Sequence, residues 1–119
     1  MEKKYFIAPN GSGIFVGMDK LARIDSRTVA EVFDKSHDDV METIENLDCS
    51  VYFRDVNFDI SEYEDNGRSC PCYTMTREGF TRLVQEYNKE KYAEIRKAYF
   101  QKFNEIEAKI SNVLAERYL

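Results

Sequence analysis

Soft-metal and thiol chemistry in this sequence would have to use Cys49, Cys70, Cys72 and the single His37. A structural zinc site asks such residues to converge, usually from cysteines with two residues between them, and Cys70-Pro71-Cys72 has only a proline between its thiols. A thiol nucleophile would need His37 as its base and a third group to orient the imidazole, and no local motif supplies one. Three cysteines are also an odd number without disulfide-framework spacing. They read as free thiols in a reducing compartment, acting as small hydrophobes in or near strands. Gly11-Ser12-Gly13 is too short for a phosphate loop and lacks the Lys-Ser/Thr ending of one. No metal, cofactor or catalytic constellation is expected, which leaves recognition by charge and hydrogen bonding.

The charge is unevenly spread. Lys and Arg number 17 against 22 Asp and Glu, for a net charge of −5. Asp25–Leu47 carries seven carboxylates against Arg27 and Lys35, so this segment alone is −5. From Arg68 onward ten cations oppose seven acids. At 119 residues, 43% hydrophobic, with eight Tyr and eight Phe, the chain has the length and the apolar content for one packed core. Its apolar runs, such as Ile14-Phe15-Val16, fall far short of the roughly 20 residues that cross a bilayer, and the first ten residues are too polar for a secretory signal. A cytoplasmic protein is expected.

The elements that would position the charges follow from period and punctuation. Residues 1–13, with Asn10-Gly11-Ser12-Gly13, predict an irregular or short-strand start. Ile14-Phe15-Val16 and Leu21-Ala22-Arg23-Ile24 flank Gly17-Met18-Asp19-Lys20 as a small hairpin. Ser26 is placed as the N-cap of a helix over about 27–34, and Ser36 as the cap of a second over 37–47, with Asp38 and Asp39 in its first turn and Val40, Met41, Ile44 and Leu47 inward. Two short helices so joined make a helix-turn-helix. Val51-Tyr52-Phe53, Val56-Asn57-Phe58 and Ile60–Tyr63 are rich in β-formers, and Asn66-Gly67 turns the chain into Cys72–Met75, a β-hairpin wing. Thr76 caps a helix carrying Phe80, Leu83, Val84 and Tyr87, which stops near Asn88. From Lys89 to Tyr118 there is no Gly or Pro, and an apolar stripe from Tyr92 to Val113 predicts one helix about 40 Å long. The fold class is α+β: a winged helix-turn-helix-like module over 1–88 and a C-terminal helix over 89–119.

On this frame Arg27, Lys35, Ser36 and His37 lie on the helix pair and Arg68 at the wing tip. His37 either reaches a base edge or phosphate from the first turn of a recognition helix or packs on the turn. Arg27 and Lys35 contact phosphates or balance nearby acids. Arg68 probes a minor groove or is simply solvated. Arg77 follows a helix cap, where a cation opposes the dipole, and calls for an acidic neighbour or a phosphate. The aromatic stripe Tyr92, Tyr99 and Phe103 is read as core or dimer seam rather than a stacking platform for single strands. The stripe outruns a small head, so Phe103, Ile106, Ile110, Val113 and Leu114 are expected to meet a second chain in a homodimer.

Four stretches carry a resemblance. They are Ser26–Phe33 followed by Lys35, His37, Asp38 and Val40; Phe53-Arg54 with Asn57-Phe58; Tyr73–Phe80 with Leu83-Val84; and Lys97-Ala98-Tyr99 with Phe103-Asn104-Glu105. In this order, over about residues 25–107, they resemble the Rha family of phage regulatory proteins. The resemblance implies a phage or prophage origin, action in the bacterial host's cytoplasm, a winged-helix-like module for double-stranded DNA, a role in gene regulation and no cofactor. Ser36, Glu42 and Glu45 stand where the family's second helix commonly has basic residues, and phosphate neutralisation supplies most non-specific affinity. Two functions are therefore expected as alternatives. One is an operator-binding regulator without catalysis. The other is a phage-encoded protein-binding factor, an antirepressor or DNA-mimic inhibitor, that uses the acidic helix pair to engage a host or phage protein.

Overall fold

The computed structural model describes residues 6–7 and 12–117. Much of the expected irregular start and the helix end at Tyr118 lie outside them. Strands β1 (Phe6–Ile7), β2 (Phe15–Val16) and β3 (Ala22–Asp25) form an antiparallel meander, and Phe15 opposite Arg23 sets the expected small hairpin. Asp19 holds that turn by accepting hydrogen bonds from the Leu21 amide and from Arg23.

Helix α1 (Ser26–Val32) is capped by Asp25, not Ser26. The Asp25 carboxylate accepts the Arg27 and Thr28 amides at 2.9 and 3.0 Å, one residue earlier than expected. Ser26 thus enters the helix, and its hydroxyl is left for contacts across the fold. α1 ends with Asp34 in the left-handed region, φ 54°, while the Lys35 amide donates to the Ala30 carbonyl and the Asp34 amide to that of Glu31. This is the two-bond Schellman closure, with an aspartate where glycine is usual. It delivers the chain to Ser36, which caps α2 (His37–Glu45) through the Asp39 amide at 3.1 Å.

Residues 51–57 are not strands. They form α3 (Val51–Asn57), capped by Ser50 at the Phe53 amide, so the strand expectation for Val51-Tyr52-Phe53 and Val56-Asn57 is corrected. β-propensity is mainly fit to a half-buried pleated surface, and tertiary contacts override it here. Arg54 reaches back from α3 to the last carbonyls of the α2 region, Ile44 at 2.8 Å and Leu47 at 3.0 Å, and Asn57 bridges the Phe53 carbonyl to the Thr76 hydroxyl.

β4 (Phe58–Asp65) and β5 (Arg68–Thr76) form the wing, paired without interruption from Phe58↔Met75 to Asp65↔Arg68. Asn66 and Gly67 turn it at φ 53° and 77°, the positive values a type I′ turn demands. The sheet order is β1-β2-β3-β5-β4. β3 pairs β5 only at Thr74–Thr76, so Pro71 removes no amide that β3 needs.

Thr76 caps α4 (Arg77–Val84) at the Gly79 amide. A Cβ on Gly79 would stand 2.8 Å from the Asn57 carbonyl oxygen, so glycine is what lets α3 and α4 approach. A short 3₁₀ turn (Glu90–Tyr92) then leads into α5 (Ala93–Arg117). Phe80 is fully buried and rings with Tyr99, Phe100 and Phe103; Phe33 rings with Tyr87 and Tyr92. The expected core residues Val29, Phe33, Val40, Ile44, Leu47, Leu83 and Val84 are buried with Phe80, and Val32 packs against them half-buried. This core draws on both sides of the expected boundary after residue 88. It also takes Phe103 and Ile106, which were expected to wait for a second chain. That part of the dimer seam is corrected: the stripe is covered by α4 and its neighbours, leaving Ile110 and Leu114 half-buried and Val113 exposed. The architecture is α+β with a long C-terminal helix, and helix pair plus hairpin is compatible with a winged helix-turn-helix.

Candidate nucleic-acid interface

The buried Ser26 hydroxyl ties three elements together. It accepts the Tyr73 amide of β5 at 3.0 Å, lies 2.8 Å from Nε2 of His37 on α2, and approaches the Met41 sulfur at 3.5 Å. His37 meets the Tyr63 ring of β4 edge-on, with centroids 5.8 Å apart. Arg27 lies over the same ring at 4.1 Å and pairs with Asp25 at 3.3 Å. Tyr63 is thus clasped by Arg27 and His37, and the wing is docked on the N-termini of both helices. His37 titrates below the ordinary imidazole value, first because burial disfavours its charge and also because of Arg27, against the pull of Asp25 and Asp38.

Of the expected contact residues, Arg27, Ser36 and His37 therefore carry structural interactions within the chain, while Arg68 is exposed beside the hairpin turn. Arg77 has the acidic partners expected of it, Glu78 and Glu107, each at 3.1 Å. Cys70 and Cys72 lie in β5 and Cys49 in the loop before α3, all free thiols, and burial raises the Cys72 pKa. Among the described residues no three His, Cys, Asp or Glu side chains form a set able to hold a metal.

Between α2 and the wing runs an open groove of about 470 Å³, whose lining includes His37, Tyr63 and Cys70 and the carboxylates Asp38, Glu42 and Glu45. Its carboxylates repel phosphate. A cationic cluster lies elsewhere. Lys35, in the turn before α2, places its ammonium 4.5 Å from the Tyr87 ring centre and 4.9 Å from that of Tyr92, while Lys91 approaches Tyr92 at 5.1 Å. Hydrogen bonding to Lys35 is the main reason the Tyr92 phenol titrates below its usual range, and the charge of Lys91 adds to it. Two cations are thus brought to one aromatic ring. Lys35 was legible as a candidate; Lys91, Tyr92, Tyr63 and the inward-turned Ser26 were not. The alternation of β4, which sets Tyr63 opposite Cys70, was the only advance signal for Tyr63.

Residues 24–108 match the family described as phage regulatory protein Rha. A Haemophilus influenzae protein described only as uncharacterized is 34% identical over 91 residues, covering 72% of this chain and 52% of that protein. An uncharacterized 22.8 kDa protein from the gp15-gp3 intergenic region of Salmonella phage P22 is 32% identical over 90 residues, covering 72% of this chain and 45% of its own length. The chain spans about half the length of these curated relatives. No solved structure gives a significant match. Among the described residues no helix is long and apolar enough to cross a membrane.

Proposed function

The chain belongs to the phage regulatory protein Rha family, and from that premise we propose that it regulates by occupying duplex DNA, without catalysis. The observation that supports this is the convergence of Lys35 and Lys91 on Tyr92, immediately before the N-terminus of α2. A phosphate there gains two cations, and the start of α2 is presented to the neighbouring groove. Arg68 at the wing tip adds a third contact. The carboxylates of Asp38, Glu42 and Glu45 turn the rest of α2 away from the backbone, so few phosphates are neutralised. In a homodimer two such units would read paired half-sites, with Ile110, Val113 and Leu114 of α5 as the contact between copies.

The acidic groove favours a second reading, a protein partner with a cationic surface seated between α2 and the wing, as an antirepressor or charge-mimicking inhibitor would use. Fluorescence anisotropy with duplex from the protein's own promoter and with unrelated duplex, each at two salt concentrations, separates the two. DNA binding predicts preference for the promoter duplex and a slope of log K against log salt of roughly −2 to −4 for each subunit engaged, from about 0.9 per phosphate and two to four contacts per subunit, and about twice that for a dimer on paired half-sites. Absence of binding to either duplex below about 10 μM, a concentration within the range of non-specific complexes, would transfer the function to the protein partner.

A further inference from the structure

On another face, α3 and the edge strand β4 leave four large apolar side chains in water: Val51 at 76% exposure, Tyr52 at 78%, Val56 at 49% and Ile60 at 65%. Val51, Tyr52 and Val56 lie on one side of α3, opposite Phe53 and Asn57, which turn inward. Ile60 faces the same side of the hairpin as its cross-strand partner Tyr73. Beneath this surface, ring contacts from Tyr73 to Phe58 at 6.4 Å and from Phe58 to Phe53 at 6.5 Å hold the base of the wing against the inner side of α3. Grouped exposed apolar residues of this size mark an interaction surface.

The charges select its partner. Asp55 sits within the α3 face, and Glu62 and Glu64 follow Ile60 on the same side of β4; none has an ion-pair partner among the described residues. The only cation between residues 48 and 65 is Arg54, and its guanidinium is committed to the Ile44 and Leu47 carbonyls. Nucleic acid and anionic lipid are therefore repelled. A second copy in a two-fold contact would bring this same face, with its carboxylates and its committed Arg54, against itself and supply no opposing cation. We propose that this face is a second binding site, for a protein segment that combines apolar side chains with lysine or arginine.

The test is a titration of the ¹⁵N-labelled chain with two synthetic peptides of equal length and identical Leu and Ile positions, one with Lys and the other with Glu at its polar positions. The expected result is movement of the amide signals of residues 51–64 by the Lys peptide alone, with those of Lys35 and Lys91 left in place. Val56→Asp combined with Ile60→Glu should weaken that binding at least tenfold, with promoter-DNA affinity unchanged. Glu62→Lys with Glu64→Lys, which keeps every apolar contact, should reverse the peptide preference. Equal response to both peptides, shifts confined to other residues, or none at all would overturn the proposal. Shifts of 51–64 that grow with protein concentration before any peptide is added would overturn it in favour of a second copy.

Discussion

Replacing Ser26 by alanine removes one oxygen from the interior and should loosen the wing. The hydroxyl is fully buried and accepts the Tyr73 amide at 3.0 Å while pairing with His37 Nε2 at 2.8 Å. Alanine fits the helix and leaves almost no void, so the cost is that of the groups left behind: a backbone amide without an acceptor and an imidazole nitrogen without a partner. A buried polar group left unsatisfied costs about 1–3 kcal/mol. The imidazole is only part-buried and can recruit water, so the total belongs near about 2 kcal/mol. For a domain of this size that lowers Tm by about 5–10 °C. Ser36→Ala is the control, because an exposed N-cap with no link to the hairpin costs about 1 kcal/mol. Urea unfolding of both variants measures the difference. Hydrogen exchange should show the Tyr73 amide and its neighbours in β5 losing protection in the Ser26 variant alone. A loss below about 0.5 kcal/mol, or unchanged exchange at Tyr73, would refute the view that this hydroxyl joins hairpin to helices.

Phe80→Ala should cost about 3–5 kcal/mol in the same assay, since the ring is fully buried against Tyr99, Phe100 and Phe103; a loss under about 1 would place it outside the core. Because His37 is held below its ordinary pKa, the unfolded chain binds the proton first: stability should be complete above about pH 6.5 and fall on acidification from there through the folded value, and His37→Gln should remove this part of the pH dependence. Proton NMR of the imidazole reads the folded value directly, and a midpoint above 6.5 would contradict the burial. Light scattering at tens of micromolar should give a dimer that Ile110→Glu dissociates; a single-chain mass unaffected by the substitution would show that α5 does not join copies. Glu45→Lys should strengthen binding to promoter and unrelated duplex alike by replacing a carboxylate that keeps α2 off the backbone with a cation that draws it in, and unchanged affinity would show that this carboxylate does not set the approach of α2.

Much of the architecture was legible because local signals agreed with tertiary ones. Ser36, Thr76 and Asn66-Gly67 punctuate the chain where the structure turns, and the apolar spacing of α2 and α4 matches the faces they bury. Local signals were ambiguous where two options were equally good and distant residues chose. Asp25 and Ser26 can both cap a helix; the cap went to Asp25 because Ser26 is needed inside, between Tyr73 and His37. Val51-Tyr52-Phe53 favours a strand by composition, yet Ser50 caps a helix there and Arg54 ties it to the end of α2. A stripe such as Phe103 and Ile106 shows that a face is buried without showing whether the same chain buries it. That Lys35 and Lys91 both reach the Tyr92 ring depends on how the 3₁₀ turn before α5 is packed on Phe33, which no local pattern records.

The most direct measurement of DNA binding at the Lys35–Lys91 cluster is an amide chemical-shift map of the ¹⁵N-labelled chain on addition of duplex from its own promoter. The largest shifts should fall on residues 34–38, on Lys91 and Tyr92 and on Arg68, and Lys35→Ala with Lys91→Ala should abolish them while the rest of the spectrum stays in place. A map that is empty at saturating duplex, or that leaves Lys35 and Lys91 unmoved, would contradict DNA binding at this cluster.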